Sequence, residues 1–139
     1  MSLPFERTVI DTNVLVSAAL SSKGNPAQIM NLISDRKIQL FYCPAILDEY
    51  VRVLGYEKLN IMPQTQKSII NAIENLGILI EPTTSDIFFT DESDRVFYDA
   101  AQASGAFLIT GNLKHYPADA FIITPADFLT KFVEQINNH

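Results

Sequence analysis

Short apolar, β-branched runs alternate along the chain with stretches whose apolar positions recur every three to four residues. That alternation predicts strands interleaved with helices, an α/β arrangement with a mainly parallel sheet. Thr8 to Ile10 reads as the first strand and Val14 to Leu20 as a helix. Ser21 to Asn25 forms a loop, in which Asn25 and Pro26 supply the N-cap and first position of a helix running to about Arg36. Ile38 to Cys43 is the second strand, and Pro44 opens a helix that Gly55 ends. Pro63 begins another helix through Leu76, closed by Gly77 in the C-terminal glycine position, before a short strand from Ile78 to Ile80.

Pro82 to Phe89 has no period of either kind. Asp91 and Asp94 then introduce a helix with apolar positions Val96, Phe97, Ala100, Ala101 and Ala103, which Gly105 stops. Phe107 to Thr110 and Phe121 to Ile123 read as strands, and Thr124-Pro125-Ala126-Asp127 as a capping box opening the last helix. No linker, repeat or low-complexity tract interrupts the pattern. With 139 residues, 47% of them hydrophobic, one core and a single domain over 1–139 are expected. No apolar run approaches the ~18 residues of a membrane span, and Met1 to Phe5 lacks the regions of a signal peptide, so the expected compartment is the cytoplasm. Cys43, in the apolar run Phe41-Tyr42-Cys43, is expected to be a packed core thiol.

Charge narrows the function. Sixteen acids against ten bases give a formal net charge of -6, a surface that repels phosphates as a whole. A nucleic-acid function would need bound divalent metal and a local cluster of bases such as Lys114-His115 or Arg95.

The candidate chemistry lies in oxygen-bearing side chains at element ends. Asp11 follows the apolar strand directly, at the carboxyl edge where open α/β sheets hold ligands. Glu49, Asp91, Asp94 and Asn112 repeat the placement from distant parts of the chain, and such oxygen donors suit a hard cation. Each also has a structural reading taken singly. Asp11 can cap the helix that follows, Asp91 and Asp94 can cap theirs, and Asn112 can be a turn residue. Helical periodicity does not separate Glu49 from Asp48. The apolar stripes at Gln28 to Ile33 and Ser68 to Ile73 can serve either a core or an interface.

Two enzyme classes are disfavoured by what is missing. The five glycines, at 24, 55, 77, 105 and 111, nowhere make a dinucleotide-binding or P-loop spacing. A haloacid-dehalogenase-like phosphatase needs a second Asp two positions after the first, where this chain has Asn13.

Asp11-Thr12-Asn13-Val14-Leu15-Val16-Ser17-Ala18, Ser22 to Pro26, Pro44 to Leu54 with Glu49, Asp94 to Ala106, Thr110-Gly111-Asn112-Leu113-Lys114-His115-Tyr116-Pro117 and Thr124 to Leu129 together resemble the PIN-domain family. Within it they resemble the branch of toxin components of bacterial toxin-antitoxin systems, over Val9 to about Phe132. The resemblance implies a three-layer α/β/α fold and a Mg²⁺- or Mn²⁺-dependent endoribonuclease. It assigns Asp11, Glu49 and Asp94 to the catalytic acids, with Asn13 and Thr110 supporting them. Asp11 and Asp94 would hold the metal directly, and Glu49 would bind it through water or orient the nucleophile, hydrolysis leaving a 5′-phosphate and a 3′-hydroxyl. Where many PIN domains have a fourth Asp, this chain has Asn112, and Asp91 is the candidate to restore the missing carboxylate. The alternative is a PIN-like module that binds RNA or protein with a weak or silent site. The partners implied are an RNA substrate, a small antitoxin protein and a second copy in a homodimer, with no membrane.

Overall fold

The computed structural model describes residues 6–138, so the signal-peptide reading of Met1 to Phe5 lies outside the described residues. In chain order the strands are β1 (Arg7–Ile10), β2 (Gln39–Tyr42), β3 (Ile78–Leu79), β4 (Phe107–Ile109) and β5 (Ile122–Ile123). The helices are α1 (Thr12–Leu20), α2 (Asn25–Ser34), α3 (Pro44–Leu54), α4 (Pro63–Leu76), α5 (Arg95–Ser104) and α6 (Pro125–Asn137). All strand pairs are parallel, in the order β3-β2-β1-β4-β5, and the helices flank the sheet in a three-layer α/β/α fold.

A sheet covered on both faces needs strands apolar on both faces, which explains why they read as continuous runs. Val9, Ile10, Leu40, Leu108 and Ile109 are all buried. Tyr50 of α3, Phe97 of α5 and Phe128 of α6 are the largest fully buried side chains and bring three helices into one core. Helix α5 lies across β1, β2 and β4, while α1 to α4 pack on one another. Ile29 and Ile33 of α2 and Ile73 of α4 are buried, with Met30, Leu32, Ile69 and Ile70 partly buried against the same core, so both stripes turn to it. Cys43 is a buried free thiol, as its apolar setting predicts.

The chain leaves β1 for β2 on one side and, later, runs β4 up on its other side. The order therefore reverses between β1 and β4, and the carboxyl ends of these two strands flank the crevice where such sheets bind ligands. Register places the relevant residues side by side. Ile10 pairs with Ile109, so the next positions, Asp11 and Thr110, leave the sheet together.

Several boundaries differ from the expectation, each for a local reason. Helix α1 begins at Thr12, not Val14, because the Asp11 carbonyl already accepts the Val14 and Leu15 N–H groups. Helix α2 has Gly24, not Asn25, at its N-cap. It stops at Ser34, because Arg36 turns left-handed (φ 60°) and Lys37 donates back to the Leu32 carbonyl at 2.9 Å. The strands β2 to β5 are each a residue or two shorter than predicted. Gly105 ends α5 at φ 62°, the left-handed conformation that glycine tolerates. Gly77 is different: its φ is -76°, and a Cβ there would sit 2.5 Å from the Ile73 carbonyl and 2.7 Å from the Tyr42 ring. It is needed for close packing of α4 on β2 and not for a turn. Thr124 caps α6, its hydroxyl accepting from the Asp127 N–H at 3.2 Å.

Candidate functional site

Asp11 occupies the N-cap position of α1, yet its side chain makes no capping bond. The carboxylate instead turns toward the carboxyl end of β4. Its Oδ2 accepts from the Thr110 hydroxyl at 2.8 Å and from the Tyr116 hydroxyl at 3.0 Å, with the Asn13 amide at 3.4 Å. Asp11 is 6% exposed and Thr110 fully buried. A buried carboxylate must be met by donors, and one oxygen here has them while the other stays uncommitted.

Asn13 and Thr110 also shape the loop after β4. The Asn13 side-chain oxygen accepts from the Gly111 N–H at 3.1 Å, and the Thr110 hydroxyl accepts from the Asn112 N–H at 3.0 Å. Burial pushes the Tyr116 phenol far above its ordinary range, and the Asp11 charge adds to that, so the hydroxyl keeps its proton and donates. Phe89, buried against Tyr116 with ring centroids 6.2 Å apart, holds the ring in place.

Glu49 is half-buried on α3, whereas its neighbour Asp48 faces solvent, which settles the choice that periodicity left open. The Thr12 hydroxyl donates to Glu49 Oε2, and Arg52, one turn on, lies 3.6 Å from Oε1. Tyr50, next along α3, donates its hydroxyl to the Ile10 carbonyl and so fixes this helix against the end of β1. Burial raises the Glu49 carboxyl; the Thr12 bond opposes that and the Asp11 charge reinforces it.

Asp94 stands at the end of the 3-10 turn Glu92–Asp94, directly before α5, and is 9% exposed. Like Asp11 it sits at an N-cap without capping. Its carboxyl is pushed up to about 6, first by burial and then by the charge of Asp11, with Asp91 and Glu49 adding and His115 opposing. Its Oδ2 lies 3.4 Å from His115 Nδ1.

Asp91 behaves as the capping reading predicts. Fully exposed, it accepts from the Ser93 N–H at 3.0 Å and the Ser93 hydroxyl at 2.8 Å, so its carboxyl falls below the usual range. Its charge still reaches Asp94 and Glu49, which puts it at the rim of the acid group. Asn112 is exposed and its side chain caps nothing. The charge of Asp11 thus acts on both Glu49 and Asp94, and that of Glu49 on Asp94, with the Asn13 and Thr110 side chains donating to Asp11.

Sequence reasoning passed over Tyr116 and Thr12 as site residues, and over His115 as a neighbour of Asp94. Tyr116 and His115 stand in the Lys-His-aromatic-Pro stretch, and Thr12 follows Asp11 at once, so position in a motif was the available signal.

The donor set suits a hard divalent ion: carboxylates from three elements whose mutual repulsion is still felt at Asp94, with His115 and Arg52 as the opposing charges. Among the described residues no three Asp, Glu, His or Cys side chains are drawn together tightly enough to make a ready metal cage. Glu49, tied to Thr12 and Arg52, is the acid held back. Asp11 and Asp94 would be the direct ligands, and such an ion would neutralise charge on a phosphodiester and acidify water.

A parallel sheet with acids gathered at the β1/β4 crevice defines an α/β protein with an acidic strand-end site. Residues 7–114 match the model of the PIN domain family, and the chain belongs to that family, whose members are generally nucleases. It is also 30% identical, over 152 aligned positions covering 94% of each chain, to the uncharacterized protein MJ1680 of Methanocaldococcus jannaschii.

Proposed function

We propose that this PIN domain is a Mg²⁺- or Mn²⁺-dependent endoribonuclease, with Asp11, Glu49 and Asp94 as its working acids. The observation that carries the reading is that Asp11 and Asp94 are both buried at helix N-cap positions that neither side chain caps, with the Asp11 charge acting on Asp94, so these acids are left for another partner. Asp11, steadied by Tyr116 and Thr110, keeps its other oxygen for the cation. Glu49 sits where the Thr12 hydroxyl can hold it for a bridging water. His115, whose Nδ1 lies 3.4 Å from Asp94 Oδ2, and its neighbour Lys114 are bases close in sequence to the site, where a phosphate must overcome the net charge of -6.

A role as the toxin of a toxin-antitoxin pair belongs to the same proposal and is supported by the motif resemblance from Thr110 to Pro117. Its partners would be an RNA, a small antitoxin covering the acid crevice, and a second copy of the chain. One observation favours a binding module with a silent site instead: Asn112 brings no charge and is exposed.

The experiment is cleavage of defined RNAs with Mg²⁺, Mn²⁺ or EDTA by the chain and by Asp11→Asn and Asp94→Asn, with circular dichroism to check the fold. Metal-dependent cutting lost in both variants is expected. Cutting by either variant at the unmutated rate overturns the nuclease assignment, and no cutting by a folded, metal-loaded chain favours the module. Growth arrest relieved by the neighbouring open reading frame is the expected result for the toxin role, and no arrest on expression overturns it.

A further inference from the structure

The helix that carries Glu49 ends in two cations set around one aromatic ring. Helix α3 stops at Leu54, and Tyr56 follows directly before the 3-10 turn Glu57–Leu59. Backbone bonds fix this junction: the Tyr56 N–H donates to the Val53 carbonyl at 3.1 Å, and the Tyr56 carbonyl accepts from the Leu59 N–H at 3.1 Å. The Arg52 guanidinium lies 5.9 Å from the Tyr56 ring centroid and donates to the Tyr56 hydroxyl, while the Lys58 ammonium lies 5.8 Å from the same centroid. All three residues are exposed, Tyr56 at 38% and the Arg52 side chain at 57%.

The cluster is continuous with the acid group. Arg52 stands one turn after Glu49 on α3 and lies 3.6 Å from its Oε1, and from Glu49 to Tyr56 the chain climbs about 10 Å at the rise of a helix. Arg95, by contrast, is bound to Glu92 at 2.8 Å and 3.0 Å and to the Ser85 carbonyl. Charge alone does not make a phosphate site of Arg52 and Lys58, since Glu57 is exposed in the same turn and Glu49 draws on Arg52. The ring has to contribute. At 5.8 and 5.9 Å from its centroid the cations stand beyond the ~3.5–4.0 Å of direct contact. An exposed cation–π contact is also weaker than a base stacked on an aromatic ring. An unpaired base can therefore take the ring and leave the cations for the phosphates beside it.

We propose that Tyr56, flanked by Arg52 and Lys58, is a stacking platform for one unpaired base of a single-stranded RNA, whose neighbouring phosphates the two cations hold. The inference rests on the nuclease reading for its substrate, and adds that this substrate is single-stranded near the cut. A base inside a duplex is stacked on its neighbours and has no face to offer a protein ring, whereas an unpaired base has. An acidic peptide would use Arg52 and Lys58 and leave the ring idle. Because Arg52 meets both Tyr56 and Glu49, a strand seated on the ring passes beside the acid group.

The test separates the platform from the chemistry. Binding to the full chain is measured in EDTA, with an unstructured RNA of about twelve nucleotides and with the same strand paired to its complement. The single strand is expected to bind about tenfold more tightly than the duplex and to move the Tyr56 ring resonances upfield. Tyr56→Ala should weaken it about tenfold and Tyr56→Phe should keep most of the affinity, while the duplex responds to neither. Lys58→Gln should lower the slope of log affinity against log salt by about 0.7, the share of one phosphate on a single strand. It is the cleaner charge variant, because Arg52 also holds Glu49. Circular dichroism is expected to be unchanged in all three variants, whose altered side chains are exposed. Equal binding of strand and duplex, or unchanged binding in Tyr56→Ala, overturns the platform; metal-dependent cutting that persists then leaves the nuclease standing. Binding that depends on Tyr56, with no cutting under any metal, supports the platform and removes the nuclease. A polyglutamate peptide that displaces the RNA, and binds Tyr56→Ala equally well, shows a site for an acidic protein and overturns the proposal.

Discussion

The Tyr116 hydroxyl donates to Asp11 Oδ2 at 3.0 Å, joining two positions 105 residues apart. Thr110 meets the same oxygen from the end of β4. The pair of donors engages one Asp11 oxygen and leaves the other without a hydrogen-bond partner, and burial of the whole arrangement keeps water from loosening it.

Tyr116→Phe removes one donor and leaves the ring packing against Phe89. Hydrogen bonds to charged groups contribute about 1.5–3 kcal/mol, and Thr110 retains part of the role, so a loss of about 1–2 kcal/mol in urea unfolding is expected. RNA cleavage should fall about tenfold, because Asp11 is less well oriented, with the loss in kcat more than in KM. Unchanged cleavage would show that Tyr116 serves packing only.

Asp94 makes stability depend on pH in a definite sense. Its ordinary value is 3.8 and its folded value about 6. Below the lower value both states are protonated and the residue costs nothing; between the two the folded chain binds the extra proton; above the upper one an ionised carboxyl is held against its neighbours. Stability from this group thus falls as pH rises from about 4 to 6. In EDTA, Asp94→Asn is expected to raise Tm by a few degrees at about pH 8, and to have no effect from this charge at about pH 4. A drop in Tm at both pH values would show that Asp94 is held mainly by favourable contacts.

The strand-end acids were legible because local rules place them: an apolar run must end at the sheet edge, so Asp11 and Thr110 emerge together. The reading of α5 from Val96, Phe97, Ala100 and Ala101 was equally local, and Gly105 ended it as glycine chemistry requires. Tyr116 was not legible as an Asp11 partner, since its aim depends on how the loop after β4 folds back. Asp99 reads as an ordinary polar position within a helix; only the packing of the Pro82 to Phe89 segment on α5 buries it and leaves one oxygen unmet. Asp11 and Asp94 both looked like caps, and only the direction of each side chain overturns that. Gly77 looked like a helix terminator, whereas the constraint on it comes from the Tyr42 ring on another element.

Gly77→Ala therefore tests packing, and Gly105→Ala tests backbone conformation. The first forces a methyl to within 2.7 Å of the Tyr42 ring and 2.5 Å of a carbonyl, and an overpacked site of this kind costs about 1–3 kcal/mol. The second meets nothing closer than 3.8 Å but places a Cβ at φ 62°, which costs about 1 kcal/mol. Urea unfolding is expected to rank Gly77→Ala as the more damaging, with the near-ultraviolet tyrosine signal altered in that variant alone. The reverse order would show that α4 shifts on β2 at little cost.

Divalent metal should stabilise the chain through the same acids. An ion that binds the folded state only adds about 2.7 kcal/mol at one hundred times its dissociation constant. Mn²⁺ is expected to raise Tm near neutral pH, with EDTA reversing it. The gain should vanish in Asp11→Asn, shrink in Glu49→Gln, and persist in Asp91→Asn, whose carboxylate is turned to Ser93 at the rim. It should also fade as pH drops through about 6, where Asp94 takes up a proton that competes with the ion. A gain that is independent of Asp11, or equal above and below that pH, would place the metal elsewhere on the molecule and leave the crowded acids at β1 and α5 without a cationic partner.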